Sequence, residues 1–197
     1  MNAADSPNPV LILGSSSPRR RELLQQVGVV FRVVVVPVDE AVLPGEAPAD
    51  YVRRVARDKA RAVRQEAGEY LPVLAADTTV VLGGEILGKP EDAADAARML
   101  ARLSARTHEV YSAVALATPD GALADRLSVS QVSFASLDPG WIERYIRTGD
   151  PLDKAGAYGV QGRAAEMIAR IEGSFTGVMG LPLYETCQLL RAAKVLF

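Results

Sequence analysis

Cysteine and histidine are almost missing from this chain: Cys187 and His108 are the single examples among 197 residues. One cysteine excludes an intrachain disulfide and a thiolate zinc site, and it suits a reducing compartment. One histidine excludes a His-cluster metal centre and any mechanism that needs two imidazoles. Charge of one sign is not in excess either. The formal net charge is −2, so the basic surplus of a general nucleic-acid binder is missing and no nucleic-acid partner is expected. The most apolar run, 27–38, is short and broken by Arg32; it cannot span a bilayer, and no membrane partner is expected. The first residues hold Asp5, Pro7 and Pro9 in place of a basic and then apolar leader, so no signal peptide is expected there, and the sparse cysteine suits a cytoplasmic protein. Neither G-x-x-x-x-G-K-[ST] nor G-x-S-x-G occurs. That argues against a Walker loop and against a serine hydrolase built on Ser15 or Ser17.

What is present is an apolar chain, 49% hydrophobic, with strand and helix patterns interleaved. Strands are predicted at 10–14, Val33–Val36, Val73–Ala76, Thr78–Leu82, Glu85–Leu87, Val110–Ala117, Leu127–Phe134, Ala157–Val160 and Met167–Ile171. Helices are predicted at 18–27, 49–67, 92–103, 138–146 and 182–193. The pattern predicts an α/β fold: a mixed twisted sheet with flanking helices, in two lobes around a cleft. Residues 10–197 are expected to form one such domain, and 1–9 to form a flexible tail.

The most telling segment runs from Val10 to Arg21. An apolar strand leads into Gly14-Ser15-Ser16-Ser17, and Pro18 stands where a first helical turn accepts it. Such a turn aims unsatisfied N–H groups and a positive dipole end at one point. Arg19, Arg20 and Arg21 oppose that dipole, so an anionic ligand accounts for them better than a capped helix does. The hydroxyl of Ser15 and the guanidinium groups of Arg19 and Arg20 form a polyphosphate cradle.

Other polar residues stand where apolar ones belong. In the helix 49–67, Lys59 shares a face with Val52, Val55, Ala56 and Val63. A lysine on that face needs an anion or a wet cleft. Asp77 closes the apolar run 73–76, at the carboxyl end of a predicted strand, where open α/β sheets bind ligands. Glu40 follows the strand region before it. Lys89 is held between Gly88 and Pro90. The stretch 149–162 combines charges with four glycines and resembles a structured binding loop. Within it, the Gln161 amide is able to read a base edge. His108 has no catalytic partner in sequence and is expected to be structural. Met167 and Met179 are expected to fill the core.

In this order the pieces resemble the Maf family of nucleoside triphosphate pyrophosphatases. The markers are Ser15-Ser16-Ser17-Pro18-Arg19-Arg20, Val38-Asp39-Glu40, Arg57-Asp58-Lys59-Ala60, Ala76-Asp77-Thr78, Gly88-Lys89-Pro90, Leu152 through Gly162, and Gly180-Leu181-Pro182. They cover 10–191. Gly14 stands where many members carry alanine, and Ser112 where threonine is common. The resemblance implies a fold similar to that of inosine triphosphate pyrophosphatases, a divalent metal (Mg²⁺ or Mn²⁺), a homodimer, and cleavage of a nucleoside triphosphate to monophosphate and pyrophosphate. Asp77-Thr78, Gln161 and Arg19 resemble the branch acting on dTTP and UTP. The implied catalytic set is Asp77, Glu40, Lys59 and Lys89. Asp77 and Glu40 both suit metal ligation or base catalysis, and sequence does not separate the two roles. The family is also linked to inhibition of septum formation and to removal of modified nucleotides. A regulator that binds the nucleotide without turnover is the alternative reading.

Overall fold

The computed structural model describes residues 8–68 and 70–197. Residues 1–7 of the expected tail lie outside the described residues. Among the described residues, seven strands form one mixed sheet. They are β1 (Leu11–Leu13), β2 (Phe31–Val33), β3 (Val73–Leu82), β4 (Glu85–Leu87), β5 (Thr107–Ala117), β6 (Leu123–Phe134) and β7 (Ile168–Glu172). The order is β2-β1-β3-β5-β6-β7, with β4 also on β3. β1 runs parallel to β2 and β3, and the other pairs are antiparallel. The helices are α1 (Pro18–Gln26), α2 (Pro48–Ala67), α3 (Ala93–Leu103), α4 (Pro139–Ile146), α5 (Phe175–Met179) and α6 (Leu183–Ala192). No helix of the described residues is long and apolar enough to cross a membrane.

Side-chain alternation decides which helices cover which face. Val73, Ala75, Ala113 and Ala115 meet Val52, Val55, Ala56 and Val63 of α2. Leu74, Ala76, Val114 and Leu116 meet Leu23 and Leu24 of α1 and Leu189 and Leu190 of α6. A third cluster joins Val80, Leu87, Val110 and Val132 to Leu100 of α3 and Tyr145 of α4. Helix starts follow their caps. Ser17, Asp92, Asp138 and Ser174 each accept a hydrogen bond from a backbone N–H of the first turn, at Arg20, Asp95, Trp141 and Gly177.

The sheet differs from the prediction at three places. Val33–Val36 is a strand only as far as Val33, because its partner β1 ends at Leu13; the last bond is Val34 N–H to Leu13 O, 3.1 Å. The predicted break at Asp77 does not exist. β3 is continuous because β5 pairs with it from Val73 to Val81, placing Asp77 opposite Ala113. Ala157–Val160 is not a strand. Gly156 and Ala157 have φ of +67° and +60°, and the Gly156 N–H bonds to Gly88 O at 3.0 Å. The segment is instead a series of tight turns, which agrees with a structured loop over 149–162.

Candidate active site

The sheet has a gap. β1 pairs with β3 only to Leu74, and β4 pairs with β3 only from Val80 onward. Between them, that edge of β3 faces a cleft of about 770 Å³, within the range of small-molecule sites. Asp77 and Thr78 point to opposite faces of the strand, yet both line the cleft because it wraps around this free edge.

Lys59 extends from α2 to the centre of the site. Its Nζ lies 2.8 Å from Asp77 Oδ1 and 2.9 Å from Glu40 Oε2. Asp77 is 5% exposed. Burial raises its carboxyl above the ordinary carboxylate range, while Lys59 and Arg20 pull in the opposite direction. Glu40 is exposed on the irregular segment after β2. Its carbonyl accepts from the Tyr51 hydroxyl at 3.1 Å. Burial, with the nearby charges of Asp77 and Glu40, pushes the Tyr51 phenol up to about 12, so it stays a donor at neutral pH.

The serine turn and α1 form the opposite wall. Ser15 Oγ accepts from Ser17 N–H at 3.3 Å and from Arg20 Nη1 at 3.2 Å. Arg20 also donates to Gly180 O at 2.8 Å and to Thr78 Oγ1 at 3.5 Å. Its burial lowers the guanidinium pKa, against the pull of Asp77. Arg19 faces Asp153 at 4.0 Å. Lys89 is exposed on the rim. In all, five cationic side chains and three carboxylates face the cleft, a local positive balance in an acidic chain.

The cleft thus gathers Ser15, Arg19, Arg20, Glu40, Lys59, Asp77, Thr78 and Lys89. Gln161 is not among its lining residues. It is exposed and follows Gly159 and Val160, which do line the cleft. Three contributors escaped the sequence reading. Tyr51 was detectable, since it shares the i, i+4, i+8 row of Val55 and Lys59. Lys154 bonds to Asp150 Oδ1 at 2.9 Å and Asp153 Oδ1 at 2.6 Å, pairs that only the turns bring together. Ser112 sits behind Thr78; sequence marked it only as a departure from the family's usual threonine, not as a part of the site. His108 is structural: its Nε2 lies 2.7 Å from the Tyr158 hydroxyl, inside an aromatic cluster with Phe134. Met179 is buried, and Met167 packs against the core beside α3 and α4.

A mixed sheet with a helix N-terminus, cations and paired carboxylates at one cleft is an α/β arrangement whose chemistry suits an anionic ligand. The family described as Maf-like protein matches residues 10–193, and the chain belongs to it. A relative from Ralstonia nicotianae, named dTTP/UTP pyrophosphatase, is 53% identical, covering 99% of each chain. One from Bordetella pertussis with the same name is 52% identical over 98% of this chain and 96% of its own. Among solved structures, a HAM1 protein from Coxiella burnetii is similar with a TM-score of 0.53, at 17% identity, covering 94% of this chain and 100% of that one. That likeness bears out the expected fold.

Proposed function

We propose that the cleft hydrolyses dTTP and UTP to the nucleoside monophosphate and pyrophosphate. One observation carries the chemistry: Lys59 ties Asp77 and Glu40 together opposite the α1 N-terminus. Two relatives of the same name, more than half identical over nearly the full chain, support the substrate class.

In this reading Ser15, Arg19, Arg20 and Lys89 hold the phosphate oxygens, with the α1 dipole. Asp77, with its raised pKa, orients a water and takes its proton as the water oxygen bonds to the α-phosphorus. The bond from the α-phosphorus to the bridging oxygen breaks, and pyrophosphate leaves with the electron pair. Lys59 and Lys89 stabilise that growing charge. Asp77 and Glu40 offer oxygen donors only, which fits Mg²⁺ or Mn²⁺; among the described residues no group of three or more potential ligands occurs, so substrate phosphate and water would have to supply the remaining ligands. When bound, the cation neutralises phosphate charge and acidifies water. Thr78 faces the base, while Gln161 lies outside the cleft lining, next to Val160 on its rim. We place the reaction in the cytoplasm and the chain in a homodimer.

The test is product analysis. Purified protein with Mg²⁺ and each common nucleoside triphosphate should release monophosphate and pyrophosphate, fastest from dTTP and UTP. Diphosphate and phosphate as products would defeat the assignment. Tight binding without any product would favour the regulator.

A further inference from the structure

The hydroxyl groups behind the cleft have a fixed direction. Ser112, on β5, is 1% exposed. Its Oγ lies 2.6 Å from Gly177 O and 2.9 Å from Thr78 Oγ1. A serine hydroxyl has one proton and two lone pairs. Gly177 O accepts only, so the shorter contact takes the Ser112 proton. Ser112 Oγ then accepts from Thr78. The other protein group in reach of the Thr78 proton is Gly180 O at 3.4 Å, a poorer hydrogen bond. In either direction the Thr78 proton points into the protein. One Thr78 lone pair accepts from Arg20 Nη2 at 3.5 Å, so the only further capacity that Thr78 offers the cleft is its second lone pair.

We propose that Ser112 is a positioning residue for base selection: it holds Thr78 as a hydrogen-bond acceptor, and so selects a pyrimidine carrying a ring N–H. The inference rests on the nucleotide-hydrolysing reading of the cleft and deepens it. Uracil and thymine carry a proton on N3. Cytosine has a bare acceptor there, which would face another lone pair. A site that offers only an acceptor leaves cytosine unpaired, and unpaired buried polar groups discriminate strongly. The fold explains the choice of residue. Ser112 is paired across from Thr78 in the β3–β5 register, on the face that packs against α5, and α5 supplies the carbonyl that fixes the proton.

The experiment compares kcat/KM for UTP and CTP. Wild type should favour UTP. Ser112→Ala removes the better acceptor and leaves the Thr78 proton only the long 3.4 Å contact to Gly180 O, so the hydroxyl rotates more freely and donates into the cleft. The UTP/CTP ratio should then fall at least about tenfold, with CTP gaining in absolute terms. Ser112→Thr keeps the hydroxyl and should hold the ratio within about twofold. A purely structural role would lower both substrates in parallel with an unchanged ratio, and that result overturns the proposal. If Ser112→Ala does not fold, Thr78→Val decides: a collapsed ratio supports the inference and an unchanged one sinks it. If the acceptor serves a sugar hydroxyl, Ser112→Ala shifts the dTTP to 2′,3′-dideoxy-TTP ratio and leaves UTP/CTP alone, which also overturns it. Wild type that cleaves neither nucleotide refutes the hydrolase reading itself, a failure distinct from the others.

Discussion

At the scale of residues, the site is a set of charges held at some cost. Asp77 is buried, and burial raises its pKa, so the folded protein holds this proton more tightly than the unfolded chain does. The stability this contributes is present below the unfolded carboxyl pKa and lost as pH rises through the folded value. At neutral pH the ionised group is therefore a burden on the fold. Asp77→Asn should lower turnover by about 10²–10⁴-fold while melting at or above the wild-type temperature; a variant with normal turnover would remove Asp77 from the chemistry. His108 has the opposite sign. Burial lowers its pKa to about 4, so its contribution is full above the unfolded value and is lost as pH falls from about 6.5 toward 4. Denaturant unfolding should show up to about 3 kcal/mol of that loss, and His108→Phe should flatten the profile. Asp77, Lys59 and Glu40 were legible in sequence because each breaks an apolar pattern. Ser112 was not, because a serine in a strand breaks nothing and its importance depends on a carbonyl 65 residues away.

Elements were legible where a local cap or turn defines them. Ser17-Pro18, Asp92 and Asp138 mark helix starts, and Gly83-Gly84 marks the turn into β4. Errors arose where partners decide. The apolar residues after Val33 suit a strand but have no neighbour to pair with, and Asp77 resembles a strand end but is carried through by β5. Within the loop expected over 149–162, the tight turn that replaces the predicted strand Ala157–Val160 was hidden, because left-handed backbone at Ala157 has no residue signature. Gly156 supports a sharper prediction. A Cβ there would lie 2.8 Å from Val80 Cγ2, at a φ of +67°. The N–H of Gly156 also tethers Gly88, next to Lys89. Gly156→Ala should cost about 1–3 kcal/mol and lower kcat as Lys89 shifts. A loss of stability with kcat unchanged would show that this tether does not position Lys89.

For the whole molecule, charge placement matters more than total charge. An acidic chain concentrates cations at one cleft, so binding of a non-hydrolysable UTP analogue should weaken as salt rises. At about 100 times its Kd the analogue should stabilise the fold by roughly 2.7 kcal/mol, read as a higher melting temperature. A shift of equal size with inorganic sulfate at matched ionic strength would deny nucleotide specificity. The architecture also determines what can move. β3 is supported along nine consecutive register positions by β5, like a beam bonded to a wall along one side, and the cleft opens on the other side at mid-span. Asp77 is at that mid-span, so it cannot follow either end. The Glu40 segment and the turns over 149–162 have no such backing. Superposed on the sheet, empty and occupied forms should therefore share one stationary carboxylate. Asp77 is the fixed origin against which every other group in the reaction is brought into register.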